Sequence, residues 1–333
     1  MSRSGYTIYG APISLFTRKL EAAFDFYQLP CQSERKGTRD DSELEQRTGS
    51  HQIPQLVTPE NWALADTTPI LQLLDSRVPQ RRLFPEGPLG LLVHIAEEVL
   101  DEWVARVMVH YRWHYLENTR DVLAFAFGVQ TETAEEAAQH PIAQWGPRAC
   151  RATGTELEEH QRAAEAEYLA LMDALEAQLQ VTRFALGDQP TAVDCMLLGG
   201  LRAHTHRDPI PDLSGYPTVL KWNEAAGRSP HGMGELAPFP NSTPFAQHLI
   251  ELAGTHYAPF LLANAQALAR GEKSFTIETY GSACSYLTRP YPEQSRALVH
   301  DRVRNLLTEA QRREAREWLA SVGLDACFWP GDL

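Results

Sequence analysis

The fold is decided by residues 53–70, which read IPQLVTPENWALADTTPI. Residues 53–58 favour a strand with a proline near its start, where the missing backbone N–H does not interrupt a sheet ladder. The turn at 59–61 leads to a second predicted strand over 62–65, so the two form a hairpin. The next residues then open a helix with a threonine N-cap and Pro69 at the first helical position. The segment therefore predicts a β-β-α unit.

The preceding residues predict a β-α-β unit. Residues 6–9 (YTIY) are β-branched and aromatic, as in a short buried strand. Residues 15–28 carry apolar side chains at helical spacing, and residues 31–35 favour a second strand. The order β-α-β followed by β-β-α predicts an α/β domain over residues 1–80.

The rest of the chain has a helical pattern on both sides of a second boundary. A proline-rich linker at 79–88 precedes predicted helices over 91–116, 156–179 and 196–201, the last with a Thr191/Asp194 capping box. A Pro/Gly/Ser-rich stretch begins near Ser229. Beyond it we expect a helix over 245–270, a strand over 274–277 and a helix over 293–321. The predicted architecture is α/β plus all-α: an α/β domain at 1–80, an all-helical domain at 89–228 and an appended α-rich subdomain at 229–333.

Composition excludes several classes of function. The chain has 333 residues, and 30 Lys+Arg against 43 Asp+Glu give a net charge of −13, which argues against non-specific nucleic-acid binding. No segment approaches the roughly 18 uninterrupted apolar residues of a membrane span, and the N-terminus lacks a secretory pattern. The five cysteines are scattered without a CxxC pair, so we expect free thiols rather than disulfides or a zinc site. We therefore expect a cytoplasmic protein without a membrane or nucleic-acid partner.

Four segments together resemble one family. Residues 9–19 (YGAPISLFTRK) resemble the strand-to-helix turn of bacterial glutathione transferases, and residues 53–56 (IPQL) resemble their cis-proline turn. Residues 65–70 (ADTTPI) resemble the element that holds the γ-glutamyl end of glutathione, and residues 187–194 (GDQPTAVD) resemble an N-capping segment of the helical domain. The resemblance implies a thioredoxin-like N-terminal domain and a helical C-terminal domain, and it leaves roughly the last 100 residues uncovered. The family's Ser-Pro is Ser-Leu here, and its Glu-Ser is Asp-Thr.

Ser14 is the candidate catalytic residue. A hydroxyl at a helix N-terminus stabilises a thiolate, the nucleophilic form of glutathione, because both the donor and the helix dipole favour negative charge. The alternative is that Ser14 only caps the helix, since serine is among the favoured N-caps. Tyr9 is the rival donor, because other classes of the family use a tyrosine at the end of the first strand.

The resemblance also implies a binding site for glutathione as co-substrate. Pro54, if cis, leaves the backbone of Ile53 free to pair with the cysteinyl amide, and Gln52 is placed to reach the glycyl carboxylate. Asp66 and Thr67 would hold the γ-glutamyl group by its ammonium and α-carboxylate. Each of these residues also has a purely structural reading, as a helix cap or an exposed loop amide.

A helical stripe supplies the candidate substrate pocket. It is rich in aromatic and imidazole groups, and its members are Trp103, Arg106, His110, Tyr111 and His114. The alternative is an aromatic core stripe with a salt-bridged outer face. His110 and His114 stand at the i, i+4 spacing of a metal-binding pair, but no third ligand is assigned, so we expect no metal. The polar segment 204–208 is expected to be a solvated loop.

The predicted function is glutathione-dependent transfer to, or cleavage or isomerisation of, a small hydrophobic electrophile, and the resemblance implies a homodimer. The alternative is a non-catalytic binding or interaction protein whose C-terminal extension forms a partner surface or a lid. A thiol oxidoreductase would need a cysteine where Ser14 stands.

Overall fold

The computed structural model describes residues 5–38, 40–226 and 234–331. Its first layer is a four-stranded sheet with helices packed on it, and its elements are β1 (Tyr6–Gly10), α1 (Leu15–Tyr27), β2 (Cys31–Arg35), α2 (Ser42–Thr48), β3 (Gln55–Val57), β4 (Ala63–Ala65) and α3 (Thr67–Arg77). The strand order is β2-β1-β3-β4. Strand β1 runs parallel to β2 and antiparallel to β3, and β4 pairs antiparallel with β3. This arrangement confirms the predicted thioredoxin-like layer.

Helix α3 begins two residues earlier than the sequence suggests, at Thr67 rather than Pro69. The prediction of a threonine N-cap with Pro69 at the first helical position is wrong, because Asp66 is the N-cap and its carboxylate accepts a hydrogen bond from the Thr68 N–H at 3.4 Å. Pro69 is therefore the third helical residue. That position tolerates proline, since the first N–H groups of a helix have no partner within it.

The second layer is helical. Its helices are α4 (Gly87–Glu98), α5 (Ala105–His114), α6 (Leu116–Phe127), α7 (Ala134–Gln139), α8 (Trp145–Ala152), α9 (Glu158–Leu179), α10 (Ala192–Gly200) and α11 (Pro217–Ala225). A π-helical stretch at Val99–Val104 joins α4 to α5, and another at Leu201–Thr205 extends α10. The single helix predicted over 91–116 is thus α4 and α5, and it ends where Tyr115 becomes extended at φ −89°, ψ 113°.

The capping box at the start of α10 forms as predicted. The Asp194 carboxylate accepts from the Thr191 N–H at 2.8 Å and from the Ala185 N–H at 2.9 Å. Asp194 is fully buried, and burial raises the pKa of its carboxyl to about 6. The side chain therefore joins the helix start to the loop before it.

Asp194→Asn is expected to lower the free energy of unfolding by about 1–2 kcal/mol, because an amide keeps one acceptor oxygen but cannot serve both backbone N–H groups. Urea unfolding measures the change. Asp301→Asn, at an exposed position of the C-terminal region, is the control and should leave stability within about 0.5 kcal/mol. Equal stability of Asp194→Asn and the native chain would contradict the role assigned to the carboxylate.

The segment 204–208 is not the solvated loop that its polarity suggests. Residues 201–205 continue the helix, and His204 and Asp208 are buried. Arg112 donates to Asp208, with Nε to Oδ2 at 3.0 Å, and to the Ile13 carbonyl at 2.8 Å. His204 and Asp208 are buried because both contact Arg112 of α5, which in turn reaches the turn before α1, a partnership that local sequence does not reveal.

The residues after the helical layer form a packed extension. Its elements are α12 (Pro244–Leu252), α13 (Ala258–Ala269), β5 (Ser274–Thr279), β6 (Ser282–Leu287), α14 (Tyr291–Leu306), α15 (Glu309–Ser321) and α16 (Asp325–Phe328). A π-helical stretch at Ala253–Tyr257 joins α12 to α13, so the helix predicted over 245–270 is confirmed. The strand predicted over 274–277 is part of the β5–β6 hairpin. The boundary expected near Ser229 lies partly at 227–233, outside the described residues.

One helix predicted for the extension is wrong. The run 293–321 is two helices, α14 and α15, separated at Leu307, which is extended at φ −103°, ψ 136°. Thr308 and Gln311 form a capping box that starts α15. The apolar periodicity continues across the break and therefore hides it.

The extension shares the core of the helical layer. Buried residues of α12, α13, α14 and α15 belong to the same hydrophobic cluster as those of α1, α4 and α10. The buried polar contacts that cross the junction include two at α4: the Tyr257 hydroxyl donates to Glu98 at 2.5 Å, and Arg302 Nε donates to His94 Nδ1 at 3.3 Å. Within the described ranges, no helix is long and apolar enough to cross a membrane.

Candidate active site

A cleft of about 280 Å³ lies between the sheet layer, the helical layer and the extension. This volume is close to the lower end of the roughly 300–1,000 Å³ of small-molecule sites. Its walls are the start of α1, the loops before β3 and α3, the π-helical stretch with the start of α5, and the start of α14. Segments far apart in sequence thus meet at one place.

The α1 wall begins at Ser14. Leu15 and Phe16 line the cleft, and Ser14 immediately precedes them without itself being a lining residue. Ser14 is the N-cap of α1, and its Oγ accepts from the Thr17 N–H at 3.3 Å. Among the described residues, none accepts the hydroxyl's own proton. Ser14 therefore combines the capping role with a donor that remains available.

Tyr9 lies elsewhere. It is only 1% exposed and packs with Leu44 and Val57 in a small cluster apart from the main core. The structure does not place it among the residues that line the cleft.

The second wall brings together all five residues that the sequence proposes for glutathione, Gln52, Ile53, Pro54, Asp66 and Thr67. The Ile53–Pro54 peptide bond is cis. The part of the chain that the structure describes offers no hydrogen-bond partner to the backbone of Ile53. This wall therefore presents an unpaired backbone segment and the N-terminus of α3, where free N–H groups favour an anion.

Asp66 has an unusual backbone conformation. Its φ of 71° lies in the left-handed region, which costs a non-glycine residue energy and is concentrated at functional sites. The half-buried carboxylate caps α3 while facing the cleft. One side chain thus serves the helix and remains open to a ligand's cation.

A buried charge cluster supports the base of the cleft. Lys19 is fully buried, and its Nζ donates to Asp101 Oδ1 and Oδ2 at 2.9 and 2.8 Å and also to Glu97. Thr68 Oγ1 donates to Glu97 Oε1 at 3.0 Å. Burial by itself lowers the pKa of Lys19, but Asp101 and Glu97 outweigh it and the pKa is raised. The cluster joins α1, α3 and α4 behind the cleft. Its member Asp101 also lines the cleft.

Arg106 lines the cleft from α5 although its side chain is only 2% exposed. Its Nη2 donates to Glu167 Oε1 at 3.0 Å and to the hydroxyl of Tyr280 in the extension. Its guanidinium carbon lies 3.9 Å from the ring centroid of Trp103, which is itself buried. Arg106 is thus held against the Trp103 ring by two hydrogen-bond partners, Glu167 of α9 and Tyr280 of the extension.

The other residues proposed for the substrate pocket lie outside the cleft lining. Tyr111 is buried in the core, at 3% exposure. His110 Nε2 lies 2.5 Å from Glu165 Oε1, and His110 Nδ1 lies 2.6 Å from His114 Nδ1. Burial, together with the neighbouring imidazole, lowers the pKa of His114 to about 4. The structure therefore groups the two histidines with Glu165 of α9, and Arg106 alone of the five proposed residues lines the cleft.

Several residues that line the cleft were not among the proposed site residues, including Asp101, Glu102, Arg289, Tyr291 and Ser295. The sequence contained a sign of the two acids Asp101 and Glu102. They stand in an apolar helical run, where a charged residue is rarely buried unless it is paired. Arg289, Tyr291 and Ser295 belong to the extension, and no local pattern marks them. In the described ranges, no group of three or more His, Cys, Asp or Glu residues is arranged to hold a metal ion.

Comparisons with known proteins give the following matches. The model of the glutathione S-transferase N-terminal domain matches residues 8–82, and that of the C-terminal domain matches residues 130–230, together just over half of the chain. No curated protein matches. A glutathione S-transferase structure from Rhodospirillum rubrum F11 is 16% identical, with a TM-score of 0.48, over 73% of this chain and 99% of that one.

Two further structures are similar at the same level. A glutathione transferase homologue from Sulfitobacter with bound glutathione is 15% identical over 67% of this chain and 92% of its own, with a TM-score of 0.42. The beta-etherase LigF from Sphingobium sp. strain SYK-6 is 15% identical over 75% of this chain and 99% of its own, with a TM-score of 0.46.

Proposed function

The chain belongs to the glutathione S-transferase family, and on this premise we propose that it binds glutathione in the cleft, where the glutathione thiolate attacks a small electrophile. Conjugation, and glutathione-dependent cleavage or isomerisation, share this thiolate attack. The observation that carries the proposal is the convergence of the α1 start, residues 52–54 and residues 66–67 on one cleft. These segments provide donors, an acceptor and an unpaired backbone on adjacent walls.

Each end of glutathione has a complementary group. The Asp66 carboxylate receives the γ-glutamyl ammonium, and Thr67 with the N-terminus of α3 receives the α-carboxylate. The backbone of Ile53, beside Pro54, pairs with the cysteinyl amide. Gln52 is exposed at the cleft edge and reaches the glycyl carboxylate.

The thiolate would lie at the start of α1. The Ser14 hydroxyl donates a hydrogen bond to the sulfur, and the helix dipole adds to the stabilisation of negative charge. The pKa of the bound thiol falls as a result, so a larger fraction is thiolate at neutral pH. The electrophile would bind on the other side of the sulfur, where Arg106 lines the cleft.

The remaining expectations follow from family membership. We propose a glutathione-binding domain at 1–80, a helical domain at 89–228 and an extension at 229–333. We also propose a homodimer that acts in the cytoplasm. The mass of the protein in solution, from light scattering, tests the dimer.

Asp66→Asn is expected to weaken glutathione binding by about tenfold or more, since it removes the charge that meets the ammonium. Asparagine caps helices as well as aspartate does, so stability should change little. Calorimetric titration with reduced glutathione measures the affinity. Asp301→Asn, the same change on an exposed face of α14 away from the lining residues, is the matched control.

Two outcomes would oppose the proposal. Undiminished binding by Asp66→Asn would remove Asp66 from the site, and no binding by the native chain at millimolar glutathione would overturn the proposed function. The alternative of a non-catalytic binding protein, with the extension as a lid or partner surface, predicts saturable binding without turnover of any electrophile. Residues of the extension line the cleft, and this observation favours testing the non-catalytic alternative as well.

A further inference from the structure

The extension supplies a wall of the cleft that lies beyond both family matches. Arg289, Tyr291 and Ser295 line the cleft, whereas the matched regions end at residue 230. Tyr291 and Ser295 are four residues apart near the start of α14, so they share one face of that helix. The side of the cleft away from the glutathione loops is therefore made by this chain's own addition.

Arg289 is held rigidly in that wall. Its backbone N–H donates to Asn264 Oδ1 at 2.9 Å, and its carbonyl accepts from Asn264 Nδ2 at 2.8 Å. Asn264 is completely buried. Arg289 Nη1 also forms an ion pair with Glu102 Oε2 at 2.9 Å. Both ends of the residue are thus fixed, which reduces the entropy lost when a ligand binds.

The wall contains unused donors. Arg106, with a 2% exposed side chain, has no partner for Nε or Nη1, and Arg289 has none for Nε, within the described part of the chain. Buried N–H groups of a cation without an acceptor are costly. A ligand that brings oxygen acceptors into the cleft relieves that cost. The start of α14 adds a favourable dipole on the same side.

The acidic residues of the cleft do not use up these spare guanidinium donors. Asp101 is bound by Lys19, Glu102 by Arg289, and Glu167 by Arg106 and Tyr280. Each of these carboxylates therefore already faces a cation, although Glu102 Oε2 accepts no hydrogen bond from the described residues. Within those residues, on this side of the cleft, three nitrogen atoms of the two guanidinium groups lack an acceptor, against this one carboxylate oxygen that lacks a donor.

We propose that the second substrate is an electrophile bearing a carboxylate, which Arg289 and Arg106 bind at the extension side of the cleft. The inference rests on the proposed function and narrows its substrate from a small hydrophobic electrophile to an anionic one. Arg289 acts by binding and orienting the carboxylate. The sulfur chemistry remains with glutathione and Ser14.

Two glutathione conjugates test the inference by equilibrium binding. S-(4-carboxybenzyl)glutathione and S-(4-carbamoylbenzyl)glutathione have nearly the same shape and differ in charge. Calorimetry with the native chain should show the carboxylate conjugate binding about tenfold or more tightly, as expected for a charge-assisted contact. A ratio near one, or a preference for the amide, overturns the inference.

Variants locate the effect. Arg289→Gln should reduce the ratio to below about threefold while leaving the affinity for unconjugated glutathione unchanged, and Arg289→Lys should restore part of it. Arg313→Gln, the same change at an exposed arginine of α15, should keep the native ratio. If Arg289→Gln folds and the ratio of the two conjugate affinities is unchanged, the assignment of the carboxylate to Arg289 is overturned. If that variant does not fold, the ratio measured with the native chain tests the inference. Failure to bind glutathione itself is the separate result that overturns the proposed function and this inference with it.

Discussion

Ser14→Ala is expected to lower kcat for glutathione transfer by about 10²–10³-fold, the usual loss when one preorganised donor to a developing or bound anion is removed. The half-buried hydroxyl accepts from Thr17 and has no acceptor among the described residues for its own proton. Without it, the pKa of the bound glutathione thiol should rise, so less thiolate is present at neutral pH. Ultraviolet absorbance of the thiolate across a pH titration measures that rise directly.

The same substitution also removes a helix cap, so the two effects must be separated. Thr133→Ala is the matched control, because the Thr133 hydroxyl caps α7 by accepting from the Glu136 N–H at 3.1 Å and lies outside the cleft lining. Loss of either cap should cost about 1 kcal/mol of stability. Only the change at Ser14 should affect kcat and the thiol pKa, and Ser14→Thr should recover part of both.

Two results would contradict the role of Ser14, and one of them concerns the rival donor Tyr9. If Ser14→Ala keeps kcat within threefold of the native value, Ser14 is a cap and nothing more. Tyr9→Phe should leave kcat unchanged, because Tyr9 is packed with Leu44 and Val57 rather than in the cleft wall. A large loss in Tyr9→Phe would contradict the placement of the thiolate at the start of α1.

Local signals predicted the parts of the fold that local chemistry controls. Ser14 and the Thr191/Asp194 pair start helices by bonding to backbone groups three residues away, so their effect is visible in the sequence. Thr308 and Gln311 form the same kind of capping pair, but the helical spacing of apolar residues continues past them and concealed the break before α15. At the start of α3, two threonines were the favoured N-caps by sequence, whereas the structure uses Asp66, whose φ is 71°.

Contacts between distant segments account for what the sequence could not predict. Within the run 204–208, the Asp208 carboxylate is buried because it accepts hydrogen bonds from Arg112, nearly a hundred positions earlier. Arg289, in the loop between β6 and α14, is held in the cleft wall because Asn264 of α13 fixes its backbone. Neither partner is marked by spacing, so the extension's part in the site becomes apparent only in three dimensions.

Lys19→Met is expected to lower the free energy of unfolding at pH 7 by about 3–5 kcal/mol, the usual cost of removing one partner from a buried ion pair. The ammonium is fully buried and faces Asp101 at 2.8–2.9 Å as well as Glu97. Methionine has a similar length and is apolar, so packing is largely conserved. The loss therefore comes from buried carboxylates without a cation. Urea unfolding measures it, with Lys273→Met at an exposed position as the control.

The pH dependence distinguishes this cause from a packing defect. Burial already raises the pKa of Asp101 well above its usual range, while Lys19 opposes that rise. Without Lys19, the pKa of Asp101 in the folded state rises further. Between about pH 4, where the unfolded carboxyl titrates, and that folded pKa, the folded variant therefore binds more protons than the unfolded chain. Stability of the variant therefore falls as pH rises through that window, and its deficit is largest at neutral pH and shrinks towards pH 4.

The native chain should behave differently at high pH. Its Lys19 pKa is raised, because Asp101 and Glu97 outweigh the opposing effect of burial. The stabilisation by Lys19 is thus fully present below the unfolded pKa of about 10.4 and is lost only as pH rises through the higher folded value. Lys19→Met/Asp101→Asn should recover part of the lost stability at pH 7, since it neutralises one of the stranded acids. A deficit that is independent of pH, and unaffected by Asp101→Asn, would mean that Lys19 acts through packing rather than through its charge.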